Sequence, residues 1–282
     1  MKKLLILSVF LTCTLSVLKA QETPAGTLDS QKFTADIQTT SSDQENDYTI
    51  DDRPSKNFVK FNLTSLALKN FSLQYERVLS KRVSAAVSFS LMPERTIPSV
   101  NLLVKGVNMI ADELDTETED VIRNVLISSY TITPEIRFYL GKKGYSTGFY
   151  LSLFYRYGHF EASNIAIPYT NDLEEDITIN TGGTITSHTG GFMTGYQWGL
   201  GKHMCLDLQM FGPHFGVSSG DFRGVPSSPL SAQDQTDIED EFIKIDSPLL
   251  EQTVTATADE VKMLFDGPWG GIRFALAIGV KF

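Results

Sequence analysis

The residue types that most often carry catalysis or metal binding are few in this sequence, and their spacing favours neither role. The four histidines are His159, His188, His203 and His214, and no two of them show the i, i+4 spacing or another spacing typical of a metal site. The sequence also lacks a G-x-S-x-G nucleophile motif and a phosphate-binding P-loop. We therefore predict a non-catalytic chain with no catalytic residues, no metal and no cofactor.

One pair of residues keeps an enzymatic alternative open. His159 continues the outward face of a predicted strand near its outer end, and Ser163 follows four residues later. Outer-membrane lipid hydrolases use an outward histidine with a serine at the membrane rim, the histidine acting as general base. A histidine at such a rim is far more often an interfacial residue, so a rim-site lipid hydrolase is our third hypothesis.

Charged residues within strand-like segments are the stronger signal. Side chains of a strand alternate between two faces, and an eight-stranded ring has a lumen that side chains can fill. Buried charges there must pair, so we predict a charge network in the interior. Its members are Glu76, Glu135, Arg137, Arg156, Asp207 and Arg273. Further inward polar residues are Lys60, Asn62, Gln74, Gln197 and Gln209. We expect Glu76 and Glu135 to pair with the arginines of this set, and Asp207 with whichever base its register allows.

Eight segments with alternating apolar and polar residues position these charges. The clearest are Val83–Leu91 and Gly270–Phe282, the second of which ends the chain on an aromatic residue. A tilted strand crosses a bilayer in roughly 9–11 residues. Closing strands of outer-membrane barrels end in this way, and their last residue acts as the assembly signal. We predict an all-β fold, an eight-stranded antiparallel transmembrane β-barrel, with Phe282 as the assembly signal. The alternative is a soluble β-sandwich with this segment at its edge.

The connections between these segments differ in length in a regular order. The short polar turns are Ser80–Arg82, Gly141–Gly144 and Gly199–Lys202. The long connections are residues 92–129, 158–183 and 212–268. Outer-membrane barrels alternate short periplasmic turns with long extracellular loops, so we place both termini in the periplasm. Only the short corner at Lys69 and Asn70 departs from this order.

Apolar residues at helical spacing predict helical insertions in the long extracellular loops. One predicted helix covers Val100 to Leu114, and a second contains Ile238, Phe242 and Ile245. Thr257 and Glu260 have the spacing of a capping box at the start of a third. We expect these helices to pack on one another above the barrel mouth, because apolar faces in water need cover. Insertion into the outer leaflet or docking to a partner is the alternative.

The amino terminus predicts export. Lys2 and Lys3 precede the apolar run Leu4–Leu18, and the small residue Ala20 ends the pattern, so residues 1–20 are a predicted signal peptide. Cys13 leaves lipidation as an alternative, although the small residue expected before a lipobox cysteine is absent. We predict a disordered acidic periplasmic tail at 21–56 and the outer-membrane barrel at 57–282.

Charge and cysteine content exclude other classes of site and partner. The formal net charge is −10, and the acidic residues lie almost wholly outside the predicted strands, which disfavours nucleic-acid binding. Once the leader is removed, Cys205 is the single cysteine. An intramolecular disulfide and a cysteine-based metal cluster are therefore excluded.

Two blocks of sequence resemble a known family. The block KFNLTSLALKNFSLQYERVLSKRVSAAVSFSLMP runs from Lys60 to Pro93, and TPEIRFYLG runs from Thr133 to Gly141. Their most specific parts are SLQYERV and TPEIRFYL. They resemble a family of small outer-membrane barrels common in the Bacteroidota and catalogued as a domain of unknown function. The resemblance covers residues 57–282, implies an eight-stranded barrel of the OmpA or OmpX kind, and supplies no catalytic residues.

We therefore expect an integral protein of the cell outer membrane with a structural or surface-interaction role. The expected partners are outer-membrane lipids, the barrel-assembly machinery through the carboxyl-terminal strand, and an extracellular protein or glycan of unknown identity. The alternative is a narrow conduit or a small-ligand transport barrel, which conductance across a planar bilayer would distinguish.

Overall fold

The structure is a computed structural model that describes residues 55–67, 69–97, 116–141, 145–243 and 251–282. It is an all-β fold in which the strands of the described residues join one antiparallel sheet. The strands are β1 Asn57–Asn62, β2 Phe71–Val78, β3 Val83–Thr96, β4 Leu126–Tyr139, β5 Gly148–Thr170, β6 Asp176–Leu200, β7 Met204–Pro226, β8 Glu251–Ala256 and β9 Val261–Lys281. The helices are α1 Leu63–Ala67, α2 Thr116–Asn124 and α3 Ala232–Ile243.

The sheet closes on itself through its first and last strands. Each of β1 to β6 pairs with the next, β7 pairs with β9, and β9 pairs back onto β1. Asn57 and Phe282 complete this seam with two reciprocal backbone hydrogen bonds of 3.0 and 2.9 Å. Eight strands therefore form a closed ring, in agreement with the predicted number. The strand β8 is an unpredicted addition that pairs with the far end of β9.

The strand alternation sorts side chains by polarity. In β2, Phe71, Leu73 and Tyr75 are exposed on the outer face, and Gln74 and Glu76 are buried inside the ring. The same order recurs around the ring. Large apolar side chains exposed on its outer face include Leu79, Val87, Phe89, Leu91, Ile132, Ile136, Phe138, Leu140, Leu151, Leu153, Phe192, Met204, Met210, Phe211, Phe274, Leu276 and Val280. This inside-out distribution is the opposite of that in a water-soluble domain.

Four strands continue well beyond the ring. The strands β5, β6 and β7 contain 23, 25 and 23 residues, which corresponds to about 75–80 Å at about 3.3 Å per residue. Their far ends and that of β9 form an open sheet against which α2, α3 and β8 pack. We call this part, residues 116–125, 160–187, 218–243 and 251–269, the projection. Its core has an ordinary apolar composition: Val121, Val125, Ile165, Ile167, Ile177, Ile179, Ile185, Phe222, Leu230, Ile238, Ala256, Val261, Met263 and Trp269.

The predicted long loops are therefore largely wrong. Residues 158–183 form a β-hairpin whose connection between β5 and β6 is only 171–175. Residues 212–268 contain the end of β7, the helix α3, the strand β8 and the start of β9. Residues 92–129 include the end of β3, α2 and the start of β4. The strands continue because Ile165, Ile167, Ile177 and Ile179 alternate in sequence and bury one common face.

The prediction of helices in the long loops is correct in part. The helix α3 lies where Ile238 predicts one, and Ile238 is buried in the core of the projection. Thr257 and Glu260 do not cap a helix. They close the turn between β8 and β9, where the amide of Glu260 donates to Thr257 Oγ1 at 3.1 Å. The predicted helix at 100–114, the signal peptide and nearly all of the tail lie outside the described residues. Within the described residues, no helix is long and apolar enough to span a membrane.

Candidate functional site

The candidate site is a set of charged residues inside the ring, in the half next to the short turns. Lys60, Glu76, Arg137 and Asp207 come from four strands, β1, β2, β4 and β7, and each is at most 1% exposed. The alternation of these strands places all four side chains on the inner face. Their registers bring them to a similar height, with Ser84 opposite Arg137 and Gln197 opposite Asp207.

Lys60 joins two of the carboxylates. Its Nζ donates to the carboxylate of Glu76, to Asp207 Oδ2 at 2.7 Å and to Gln197 Oε1 at 2.6 Å. All three protons of the ammonium group therefore have acceptors. Lys60 thus connects β1, the first strand of the ring, with β2, β6 and β7 across the lumen.

Arg137 completes the network from the opposite strand. Its Nη1 donates to Asp207 Oδ2 at 2.6 Å and to Glu76 Oε2 at 3.3 Å, and its Nε donates to Glu135 Oε1 at 2.7 Å. Its Nη2 donates to Gln74 Oε1 at 3.0 Å. The guanidinium also lies 4.5 Å from the centre of the Tyr150 ring. Arg137 therefore contacts every carboxylate of this network.

Hydroxyl groups satisfy the remaining carboxylate oxygens of Glu76 and Asp207. Glu76 Oε1 accepts hydrogen bonds from Tyr139 at 2.9 Å, Ser84 at 2.5 Å and Ser146 at 2.7 Å. Asp207 Oδ1 accepts one from Tyr150 at 2.8 Å. The Tyr150 ring has this position because residue 195 is glycine, where a Cβ atom would lie 2.4 Å from the ring.

The network has a definite energetic consequence. Two cations and three carboxylates without contact to bulk water are stable only if every member is paired, because desolvation of an ion is costly. Among the described residues, Glu135 Oε2 and Gln197 Nε2 are the atoms of this network that have no hydrogen-bond partner. This network, which we call the central network, consists of Lys60, Glu76, Glu135, Arg137 and Asp207 and closes this half of the lumen. Loss of either cation would leave its carboxylates with too little positive charge.

A second group of charged residues lies farther along the lumen. Arg273 extends over the ring of Phe154, with its guanidinium carbon 4.4 Å from the ring centre. The His214 ring lies 6.1 Å from the same ring in an edge-on arrangement. Arg156 is two residues beyond Phe154 on the same face of β5, and its charge interacts with that of Arg273. We call Arg156, His214 and Arg273 the upper cationic cluster.

The structure separates the predicted interior network into two parts. Glu76, Glu135, Arg137 and Asp207 lie together, whereas Arg156 and Arg273 do not pair with any of these carboxylates within 4.0 Å. Of the three arginines expected as alternative partners of Glu76 and Glu135, Arg137 pairs with both carboxylates, and Arg156 and Arg273 pair with neither. The reason is height in the ring, because Arg156 and Arg273 occupy positions nearer the projection. The sequence indicated only that Lys60 faces inward, whereas the structure places its ammonium group at the centre of the network.

The predicted network omits three residues that line the lumen, namely Tyr139, Tyr150 and His214. Tyr139 and Tyr150 alternate in phase with Arg137 and Ser152, and this phase was the available signal for an inward position. His214 has no such signal. The outward residues Met210 and Phe211 are consecutive, and the register between β7 and β9 shifts between Gln209 and Gly212. This β-bulge reverses the alternation and turns His214 inward.

The rim pair His159 and Ser163 has separate partners. His159 Nδ1 lies 3.3 Å from Thr186 Oγ1, and its ring lies 5.1 Å from that of Tyr130. Ser163 donates to Glu94 at 3.0 Å. His188 also lies on the outer face, with Nδ1 2.5 Å from the hydroxyl of Tyr155. The outward histidines thus belong to a band of aromatic residues. In the part of the chain that the structure describes, no three His, Cys, Asp or Glu side chains are grouped to hold a metal.

Comparison with known families identifies the chain at the level of the family. Residues 48–215, which are more than half of the chain and include most of the ring, match the model for a protein of unknown function, DUF3575. The chain belongs to the DUF3575 family. The comparison with curated proteins gives no match. The residues of the central network, from Lys60 to Asp207, all lie within the matched range, whereas Arg273 and the end of the projection lie beyond it. The OmpA-like architecture and the Bacteroidota origin stay predictions.

Proposed function

We propose that this protein is an integral β-barrel of the outer membrane with a non-catalytic, structural or surface-interaction role. The observation that carries the proposal is the apolar outer face of the ring around a charge-filled lumen. In water, such a face would expose many large side chains at once, which soluble monomers avoid. In a bilayer, the same face contacts lipid, and the closed ring leaves no strand edge unpaired where β1 meets β9.

The height of the apolar face supports this proposal. On β3 the outward apolar residues run from Val83 to Leu91, and on β5 they run from Phe149 to Tyr157. Each set spans nine positions, and a tilted strand needs about 9–11 residues to cross the hydrocarbon core. The predicted membrane thickness and the observed apolar face therefore agree.

Aromatic residues border the apolar face at both ends, as in known membrane barrels. Towards the projection, Tyr130, Tyr155, Tyr157, His159 and His188 are linked by ring contacts with centroids 5.1 to 6.2 Å apart. Towards the short turns, Tyr196 and Trp198 stack with centroids 4.5 Å apart. Such residues favour the interface between hydrocarbon and headgroups. Because the short turns of outer-membrane barrels lie in the periplasm, we place the short turns there and the projection outside the cell.

The projection is the part that we propose for surface interaction. It extends about 35 Å beyond the ring, since β5 continues for a further 11 residues after His159 at about 3.3 Å each. It has a packed core of its own, and so offers a fixed surface. Its tip presents the exposed acidic residues Asp172, Glu174, Glu175 and Asp176. The proposed partners are an extracellular protein or glycan, outer-membrane lipids around the ring, and the assembly machinery at Phe282.

The first experiment is fractionation of outer membranes followed by a urea wash. The proposal predicts that the protein stays in the membrane pellet and that the unboiled protein migrates faster on a gel than the boiled protein. A planar bilayer containing the purified protein should show no steady conductance, because the central network fills the lumen. If urea extracts the protein and boiling leaves its mobility unchanged, the membrane proposal is wrong. Steady single-channel conductance would instead favour the conduit.

A further inference from the structure

We propose that the upper cationic cluster, Arg156, His214 and Arg273, binds a small oxyanion of the phosphate class inside the ring. The observation behind this proposal is an excess of positive charge without counter-ions. In the described residues, neither guanidinium has a carboxylate within 4.0 Å, although the charges of Arg156 and Arg273 are close enough to repel each other. The proposed site lies within the ring and does not depend on membrane insertion.

Two buried polar atoms of the upper cationic cluster lack a hydrogen-bond partner. Arg273 Nη1 and His214 Nδ1 are buried and have no hydrogen-bond partner. His214 is only 8% exposed. A buried polar group without a partner is unfavourable, and a buried charged donor is more so. An anion within reach of both groups would accept a hydrogen bond from Arg273 Nη1, and from His214 Nδ1 in the tautomer that carries the proton there. It would also reduce the repulsion between the two arginines.

The chemistry of the donors selects the class of ligand. Guanidinium groups offer paired N–H donors in one plane, which match two oxygens of a phosphate or similar oxyanion better than a single halide ion. Phe154 holds the Arg273 guanidinium against its face, so the donor edge of Arg273 is fixed before a ligand arrives. Arg156 and Arg273 are both half-buried, so each residue keeps some accessible surface.

The neighbouring carboxylate does not already fill this role. Glu135 is the acidic residue whose charge acts on Arg273, but its Oε1 accepts from Arg137 and the two residues form no ion pair. The central network carries three carboxylates for two cations, and the upper cluster carries two arginines with none. A single bound anion would therefore neutralise the part of the lumen that protein side chains leave positive.

The test compares thermal midpoints of the folded full-length mature protein in detergent micelles. Inorganic phosphate is titrated against sodium chloride at equal ionic strength, because salt screening and general exclusion effects act on both. The thermal midpoint of the wild type should rise with phosphate concentration and then level off as the site fills. Arg156→Gln and Arg273→Gln should weaken the apparent phosphate affinity by about tenfold or more. Arg223→Gln is the matched control, because Arg223 is an exposed arginine of the projection.

The sign of the effect without phosphate is equally informative. If the two arginines only repel each other, Arg156→Gln should leave the midpoint in chloride unchanged or raise it. A fall in the midpoint of both arginine variants, with no dependence on phosphate, would overturn the proposal and make the arginines structural. Equal phosphate responses in wild type and all variants would also overturn it.

A further arm identifies the source of the oxyanion. Glycerol 3-phosphate replaces inorganic phosphate in the same titration. Binding of inorganic phosphate alone supports a site for the free anion. Binding of both inorganic phosphate and glycerol 3-phosphate to the wild type, with loss of this binding in Arg273→Gln, supports a site for a phosphorylated headgroup or metabolite. If neither probe shifts the wild type at concentrations well above those of cellular phosphate esters, the site is not an oxyanion site.

Discussion

The ring and the projection share the four strands β5, β6, β7 and β9 but have opposite polarity. In the ring, Leu153 of β5 is 62% exposed and the inward residues are polar or charged. In the projection, Ile165 of the same strand is 1% exposed within an apolar core. Under the proposed membrane insertion, the ring faces lipid and the projection faces water. The proposal therefore predicts a boundary between these two solvents near residues 157–160 of β5.

The change of polarity coincides with a change in the interactions that hold each region together. The ring is closed by backbone pairing between β1 and β9 and by ion pairs across the lumen. The projection has no such closure in the described residues, and its sheet is covered on one side by α2 and α3. Polar contacts stabilise the first region and apolar burial stabilises the second. Each of the following predictions tests one side of this difference, from the largest expected effect to the smallest.

Arg137→Ala should give the largest loss of stability. It removes the one residue that contacts Glu76, Glu135 and Asp207, which leaves Glu135 without an ion-pair partner and leaves Glu76 and Asp207 to share Lys60 inside the ring. We expect the free energy of unfolding to fall by about 3–5 kcal/mol. This free energy is measured by urea titration of the reconstituted protein, with the gel mobility of the unboiled form as the readout of folding. The control Arg223→Ala should change the free energy by about 0–1 kcal/mol. Equal effects of both would refute a buried network.

Ile165→Ala should destabilise the projection and spare the ring. Ile165 is 1% exposed and packs within the apolar core, so the cavity should reduce local stability by about 2–5 kcal/mol. Limited proteolysis should release fragments of the projection while the unboiled ring keeps its fast gel mobility. Loss of both features together would show that the two regions unfold as one unit.

Leu153→Arg tests the solvent of the outer face directly. At the middle of a bilayer, an arginine on the lipid face should destabilise the barrel by about 2–4 kcal/mol. On a soluble protein, the same change at a residue that is 62% exposed should have an effect within about 0.5 kcal/mol. Leu173→Arg is the control, because Leu173 is 72% exposed at the turn of the projection. Near-equal unfolding midpoints of the two variants would place the ring in water.

The sequence predicts the ring well because alternation is a local property. The outward face of β2 and the inward position of Glu76 follow from a period of two, and the paired strands keep that period. The projection was missed at 158–183 because glycines at 182 and 183 and the acidic run at 172–176 have the composition of a loop. Burial of Ile165 against Ile177 and Ile179 depends on strand pairing, which no local pattern records.

The division of the interior charges was also beyond the sequence. Alternation shows that Arg156 and Arg273 face inward, but it does not give their height relative to Glu76 or Asp207. That height depends on the stagger between strands and on the register shifts between Thr194 and Gly195 and between Gln209 and Gly212. A bulge moves every later side chain to the other face. His214 is therefore inward despite an even spacing from the outward Met204.

The smallest expected effect concerns the contact between α3 and the hairpin turn of the projection. Ser231 and Asp234 form a reciprocal capping box, since Asp234 N donates to Ser231 Oγ at 3.1 Å and Ser231 N donates to Asp234 Oδ2 at 3.0 Å. Asp234 Oδ1 also accepts from the amide of Asp172 at 2.9 Å and from Tyr169 at 3.2 Å. Burial opposes ionisation of Asp234, but these hydrogen bonds outweigh it and hold the pKa of its carboxyl below its usual range.

A lowered pKa in the folded state means that ionised Asp234 stabilises the projection at neutral pH. This contribution is complete above the ordinary aspartate pKa of about 3.9 and disappears as the pH falls through the lower folded-state value. We expect Asp234→Asn to lose about 1 kcal/mol at pH 7. The difference from wild type should shrink below about pH 4. Asp240→Asn, an exposed position on α3, is the control and should show no difference at either pH.

Trp269 makes this measurement specific to the projection. It lies in the core of the projection, and the second tryptophan, Trp198, lies at the opposite end of the ring. A Trp198→Phe background leaves Trp269 as the single tryptophan, so its fluorescence during urea titration reports the projection alone. The proposal for Asp234 requires that the wild type and Asp234→Asn differ at pH 7 and converge in acid. A constant difference across this range would mean that Asp234 acts through packing and not through its charge.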